Sequence, residues 1–190
     1  MDINVPLREL GPVSSNALRD VILSLDESAW KDNKSRQEEY EVHRSTESIV
    51  MVFVDTENWP EVNVTKESGW DLLSQEALPL MNDIIERFYP PGGTVIRAMA
   101  ANLLPGGTIT PHWDKHPSFH CGHRIHVPIT SNPRVRFMID GQPYRFNLGE
   151  AYEINNQKRH SVMNKGKDAR ITFIFDYVPK EEIEKLSANK

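Results

Sequence analysis

The spacing of apolar and polar positions changes character near residue 94. Before that point the periods are helical. Leu18, Val21, Ile22 and Leu25 fall on one face of a helix over 14–25, with Ser14 or Ser15 placed to cap it. Residues 26–48 carry too many charges to show a period, and Ile49 to Val54 is an unbroken apolar run short enough for a buried strand. Residues 70–88 again read as helix. Pro79 is poor in a helix interior and good at a first helical position, so a break is expected near Leu78 with a helix restarting at Pro79. Met81, Ile84, Ile85 and Phe88 form its apolar stripe, and the PPGG at 90–93 stops it.

From residue 94 onward, β-type runs alternate with turn residues: 94–104, 109–113, 124–130, 134–139, 144–147, 151–154, 160–164 and 170–178. PGG at 105–107, SNP at 131–133 and DG at 140–141 supply turns between them. Eight short strands at this spacing predict a sandwich or jelly roll. The expected organisation is one mainly β domain with flanking helices. Residues 1–93 support a barrel formed by 94–178, and 179–190 make a charged helix or tail.

Composition narrows the class. At 190 residues the chain suits one domain with a real core. A net charge of -5 gives no reason to expect nucleic acid as the main partner. Cys121 is the single cysteine, so no intrachain disulfide forms, which fits a reducing compartment. No leader-like or membrane-length apolar run is present, and a soluble, cytoplasmic protein is expected.

Five of the seven histidines lie between 112 and 126. Residues two apart on a strand share a face. His112 then shares a face with Asp114, Arg124 with His126, and His160 with Val162 and Asn164. In the last run Ile171, Phe173 and Phe175 form an apolar face expected under helices. Arg170, Thr172 and Ile174 point the other way, into the barrel. An interior holding two His, an Asp and at least one Arg needs partners for its charges. A metal ion satisfies the first three, and an anion satisfies Arg170 and Arg124. Both needs are met by a two-histidine, one-carboxylate iron site carrying 2-oxoglutarate. Three ligands on one face leave three positions for the chelating 2-oxo acid and dioxygen, and Arg grips the far carboxylate. A lone H-x-D is weak evidence. H-x-D with a His at 160 and an Arg at 170 is stronger.

Plainer readings stand beside these. Arg124 could pair with a surface acid, and His126 could be a core histidine with satisfied hydrogen bonds. His116, His120 and His123, with Cys121, match no standard zinc spacing and read as surface or lid residues. Asn155, Asn156 and Asn164 suit turns and strand ends, Trp113 an outer face, and Met138 and Met163 the core. Arg44, with His43, lies before a strand that could line the barrel mouth, where an Arg would bind a substrate carboxylate. A solvated Arg is the equal alternative.

The segments LLPGGTITPHWD (103–114), HRIHVPI (123–129), FMIDGQ (137–142), GEAYEINNQKRHSVMN (149–164) and RITFIFDYV (170–178) resemble the aspartyl/asparaginyl β-hydroxylase family of 2-oxoglutarate oxygenases. VHRSTESIVMVF (42–53) is also similar to a family element. The resemblance implies a double-stranded β-helix, that is, a cupin-like jelly-roll core, with iron(II), 2-oxoglutarate as cosubstrate and a hydroxylated product. It assigns His112 and His160 to the metal and Arg170 to the 5-carboxylate of 2-oxoglutarate. Arg124 and His126 match an R-x-H element near the 1-carboxylate end. Animal peptide hydroxylases of the family have Gly where Asp114 stands. This chain has the full triad, as similar bacterial amino-acid hydroxylases do, which also argues against halogenation. The loop between His112 and Arg124 is longer than in the animal enzymes. The expected substrate, taken with dioxygen, is an amino acid or a small molecule containing one. The alternatives are an Asp or Asn side chain in a peptide or protein, and a non-catalytic jelly roll that binds a metal or an anion.

Overall fold

The computed structural model describes residues 1–31 and 45–188. His43 and Arg44, the expected substrate contacts, lie outside the described residues. The chain runs through β1 (Leu7–Pro12), α1 (Asn16–Ser24), α2 (Glu27–Lys31), β2 (Thr46–Val54), β3 (Val64–Lys66) and α3 (Gly69–Phe88). It continues with β4 (Thr94–Leu103), β5 (Thr108–His112), α4 (Ser118–Cys121), β6 (His123–Pro128), β7 (Val135–Ile139) and β8 (Gln142–Tyr144). The last elements are β9 (Glu150–Ile154), β10 (His160–Asn164), β11 (Arg170–Val178) and α5 (Lys180–Ala188).

The strands form two antiparallel sheets. The larger has the order β1-β9-β6-β11-β4-β2-β3, and the smaller β5-β10-β7-β8. This is a jelly roll with helices on one outer face. The alternation along β11 sorts residues between two cores. Phe173 and Phe175, paired with Ala100 and Ala98 on β4, face outward under the helices. There they meet Leu18 and Ile22 of α1 and Leu73, Ala77 and Ile84 of α3. The small alanines let the helical layer approach the sheet closely. Between the sheets, Leu103, Phe137, Ile139, Ile154 and Val162 make a second apolar core. Such burial contributes about 1.5–3 kcal/mol per large side chain. Among the described residues, no helix is long and apolar enough to cross a membrane.

Some of the sequence expectations need correction. The helix over 70–88 does not break at Leu78; α3 is continuous with Pro79 inside it. Leu73, Ala77, Leu80, Met81 and Ile84 are buried along one stripe spanning Pro79, and this shared burial outweighs the lost hydrogen bond. Within residues 1–93, the part expected to support the barrel, β1, β2 and β3 join the large sheet itself. The strand expected at 144–147 ends at Tyr144. Asp140 (φ 51) and Gly141 (φ 77) form a two-residue hairpin turn with left-handed backbone at both positions, so the return strand begins at once, at Gln142. Ser15 occupies the N-cap of α1, but its hydroxyl makes no capping hydrogen bond.

Candidate active site

β5 and β10 are antiparallel neighbours in the small sheet, and their register sets His112 directly opposite His160. The two imidazole rings lie 4.5 Å apart. Each is oriented by its own strand. Nδ1 of His112 is 2.7 Å from the Thr110 carbonyl, and Nδ1 of His160 is 2.9 Å from the Lys158 carbonyl. A carbonyl can only accept, so both Nδ1 atoms carry a proton, which leaves Nε2 as the nitrogen through which each ring can bind a metal. Burial lowers the pKa of His160, which keeps it in the neutral, ligating form. Asp114 follows two residues after His112. Its backbone N–H donates to the Asn156 carbonyl at 3.2 Å, and its Oδ1 stands 4.0 Å from His112 Nε2. One ligand atom from each of His112, Asp114 and His160 lies within 4.8 Å of the others. Two imidazoles and one carboxylate on one side of a cation suit a six-coordinate iron(II) with open positions.

A buried charge network stands behind Asp114. Arg124 Nη1 donates to Asp114 Oδ2 at 2.8 Å, while its Nε and Nη2 donate to the two oxygens of Asp176 at 2.8 and 2.9 Å. Arg97 Nη1 reaches Asp176 Oδ2 at 3.3 Å, and Arg97 Nη2 donates to Ser118 Oγ at 2.6 Å. The Phe119 ring lies against both guanidinium groups, 4.2 Å from that of Arg97 and 4.5 Å from that of Arg124. Burial alone would pull the pKa of Arg124 down, but the Asp114 and Asp176 carboxylates together hold it above its ordinary value. Burial likewise pushes Asp176 up, and Arg124 with Arg97 reverses this, leaving it below the usual carboxylate range. Arg124 is therefore on the ligand side of the site, with its donors on carboxylates of the chain.

Arg170 is in the opposite condition. It is 6% exposed, and burial draws its pKa down to about 10 with no carboxylate among the described residues offsetting it. Its guanidinium stands 5.7 Å from the Phe137 ring. Two further interior groups share this lack. Thr172 Oγ1 and both ring nitrogens of His126 are buried without a hydrogen-bond partner among the described residues. Burial, then the nearby Arg170 charge, hold His126 well below the ordinary imidazole pKa and so neutral. Orphaned polar groups of this kind cost about 1–3 kcal/mol each. A dicarboxylate placed between the triad and Arg170 would meet them, so the donor set fits 2-oxoglutarate as well as the metal. A cleft of about 200 Å³, lined in part by Pro128, Phe137, Phe146 and Arg145, opens onto Arg170.

Two other histidines of the 112–126 stretch are held elsewhere. His116 bonds to Ser118 Oγ and to the Thr56 carbonyl, and His123 to the buried Glu153, which also accepts from Tyr89 and pairs with Arg8. His112, Asp114 and His160 form the one metal-competent cluster of three among the described residues. Trp113 is 51% exposed, with the Lys115 ammonium 5.6 Å from its ring. Met138 and Met163 are half-buried, on the outer side of the small sheet rather than in a core. Asn164 serves the turn before β11, donating to the Leu103 and Asp168 carbonyls and accepting from Gly166 N–H. Asp176 and Arg97 were missed in the sequence. Asp176 has the parity of Arg170 and Thr172 on the same strand, and following that alternation two residues beyond Ile174 would have found it.

A family model for aspartyl/asparaginyl beta-hydroxylases matches residues 16–179. No curated protein matches the sequence. Among solved structures, the chain is similar to an oxidoreductase of the 2OG-Fe(II) oxygenase family from Burkholderia pseudomallei, at 10% identity over 70% of this chain and 67% of that one (TM-score 0.53). It is similar to the nickel complex of the non-heme monooxygenase ThoJ, at 11% identity over 92% of this chain and 74% of that one (TM-score 0.57). It is also similar to the viral collagen prolyl hydroxylase of Paramecium Bursaria Chlorella virus-1 in its 2OG complex. That match has 10% identity over 92% of this chain and 96% of the other (TM-score 0.53). At these identities the shared property is the fold.

Proposed function

The chain belongs to the aspartyl/asparaginyl β-hydroxylase family of iron(II)- and 2-oxoglutarate-dependent oxygenases, and we propose that it hydroxylates a C–H bond of an amino acid, or of a small molecule containing one, at a metal held by His112, Asp114 and His160. The observation that carries this reading is the convergence of the three ligand atoms within 4.8 Å, with an uncompensated Arg170 facing the same interior. When bound, the iron and its 2-oxo acid supply dioxygen activation. The chain supplies orientation and exclusion of water. Arg170 holds the far carboxylate of 2-oxoglutarate by charge-assisted hydrogen bonds in a site dry enough to strengthen them. His126, kept neutral, and the Thr172 hydroxyl bond to the cosubstrate between the two ends. Phe137 and Phe146, stacked 4.6 Å apart beside His126, wall that space with apolar surface.

The complete triad supports the small-substrate reading, since the full His-Asp-His set is what similar bacterial amino-acid hydroxylases share. The alternative is an Asp or Asn side chain presented by a peptide. A cytoplasmic setting belongs to the same proposal and is supported by the single cysteine, Cys121, buried and unpaired. The test is aerobic incubation with iron(II), 2-oxoglutarate and a panel of free amino acids and Asp- or Asn-containing peptides. Succinate is followed, and mass spectrometry looks for a gain of one oxygen. A free amino acid or its small conjugate should gain the oxygen in step with succinate. Gain confined to peptides would transfer the assignment to peptide hydroxylation, and no succinate with any substrate would favour a non-catalytic binder.

A further inference from the structure

We infer that Arg124, clamped by Asp176, is a positioning residue that holds Asp114 as a one-oxygen ligand, rather than a contact to the cosubstrate. The inference rests on the proposal that His112, Asp114 and His160 bind the metal. It starts from where one N–H donor on each of the three guanidinium nitrogens of Arg124 goes. Nε and Nη2 make a two-pronged pair with Asp176, at 2.8 and 2.9 Å, and Nη1 takes Asp114 Oδ2 at 2.8 Å. Asp176 is 2% exposed. Turning Arg124 toward a cosubstrate would strand this carboxylate with only the 3.3 Å contact from Arg97, a costly exchange in a dry interior. The guanidinium is therefore committed. Its third prong engages Oδ2 and directs Oδ1 toward the metal position beside His112 Nε2.

One-oxygen binding matters for the chemistry. A carboxylate that swung round to bind through both oxygens would take a coordination position that the 2-oxo acid or dioxygen requires. Partners of metal-binding side chains typically change metal affinity or activity by about 10- to 100-fold when removed. The arrangement also separates orientation from charge. Arg124→Met removes a positive charge and Asp176→Asn removes a negative one, so a purely electrostatic influence on a cation would move binding in opposite directions. A positioning role moves it in the same direction.

The test measures Mn(II) binding without cosubstrate, by electron paramagnetic resonance of the free ion. Arg124→Met and Asp176→Asn are each made in the natural chain and in an Asp114→Ala background. Both substitutions should weaken binding by about 10-fold or more in the natural chain. Each should change it by less than about twofold when Asp114 is already gone. Unchanged binding, shifts of opposite sign, or equal losses in the two backgrounds would overturn the inference. If only one of the two variants folds, the comparison with its Asp114→Ala counterpart still decides the matter. His112→Ala, run alongside, tests the ligand assignment separately. If it binds Mn(II) as the natural chain does, the triad fails and not merely its support.

Discussion

His126 shows how much one interior residue depends on what it faces. Neither ring nitrogen has a hydrogen-bond partner among the described residues, and burial with the Arg170 charge keeps the ring neutral. The sequence placed it on the barrel side with Arg124 from strand alternation alone, and the structure agrees on the parity. It parts the two residues by partner, with Arg124 on carboxylates and His126 among Phe137 and Phe146. Alternation reports a face but not which of two competing charges an Arg will choose, and Asp176 was not in view. The depressed pKa has a consequence for stability. An unfolded His titrates near 6.5, so below that pH the unfolded chain binds a proton that native His126 refuses. Stability of the metal-free protein is therefore full above about pH 6.5 and falls as the pH drops below it. The His126 contribution is at most about 1.4 kcal/mol per pH unit. His160, also depressed, adds to the slope. Urea unfolding across this range should show the loss, and His126→Leu should flatten it by up to about 1.4 kcal/mol per unit. An unchanged slope in that variant would refute the assignment of a neutral buried ring.

Elements carried by their own periodicity were legible, and those carried by neighbours were not. β10 and β11 fall on the residues expected, because turn residues bound their apolar runs sharply. β1 and β3 went unread. Both lie at edges of the large sheet, and β1, LRELGP, includes Gly11 and Pro12 and reaches its register with β9 through a bulge between Glu9 and Gly11. Its pairing partner stabilises it more than its own pattern does. α3 makes the reverse case, a local signal overruled by packing. Pro79 is exposed within a continuous helix whose buried stripe runs past it on both sides. Pro is about 3 kcal/mol worse than Ala in a helix interior, and a change to Ala returns about 0.4–1 kcal/mol of entropy to the unfolded chain. Pro79→Ala should therefore raise unfolding free energy by roughly 2 kcal/mol in urea melts. A variant no more stable than the natural chain would mean that α3 has adapted its geometry to the ring.

At the scale of the molecule, the site is a product of topology. His112 and His160 are far apart in sequence and become cross-strand partners because β5 and β10 are neighbours in the small sheet. Arg170 comes from the facing sheet, paired with Leu103 of β4. The spacing of these residues suggested a metal with a cosubstrate, but only two apposed sheets bring the ligands and the uncompensated arginine to one interior. The helical layer of α1 and α3 covers the opposite face of the large sheet and so leaves this interior to the chemistry. The most direct measurement is the visible absorption of the protein with iron(II) and 2-oxoglutarate under strict exclusion of oxygen. It needs no knowledge of the primary substrate. The natural chain should develop the charge-transfer band of a 2-oxo acid chelated to iron, and His160→Ala should develop none. A band of equal strength in His160→Ala, or no band in the natural chain at saturating iron and 2-oxoglutarate, would contradict the placement of the metal on His112, Asp114 and His160.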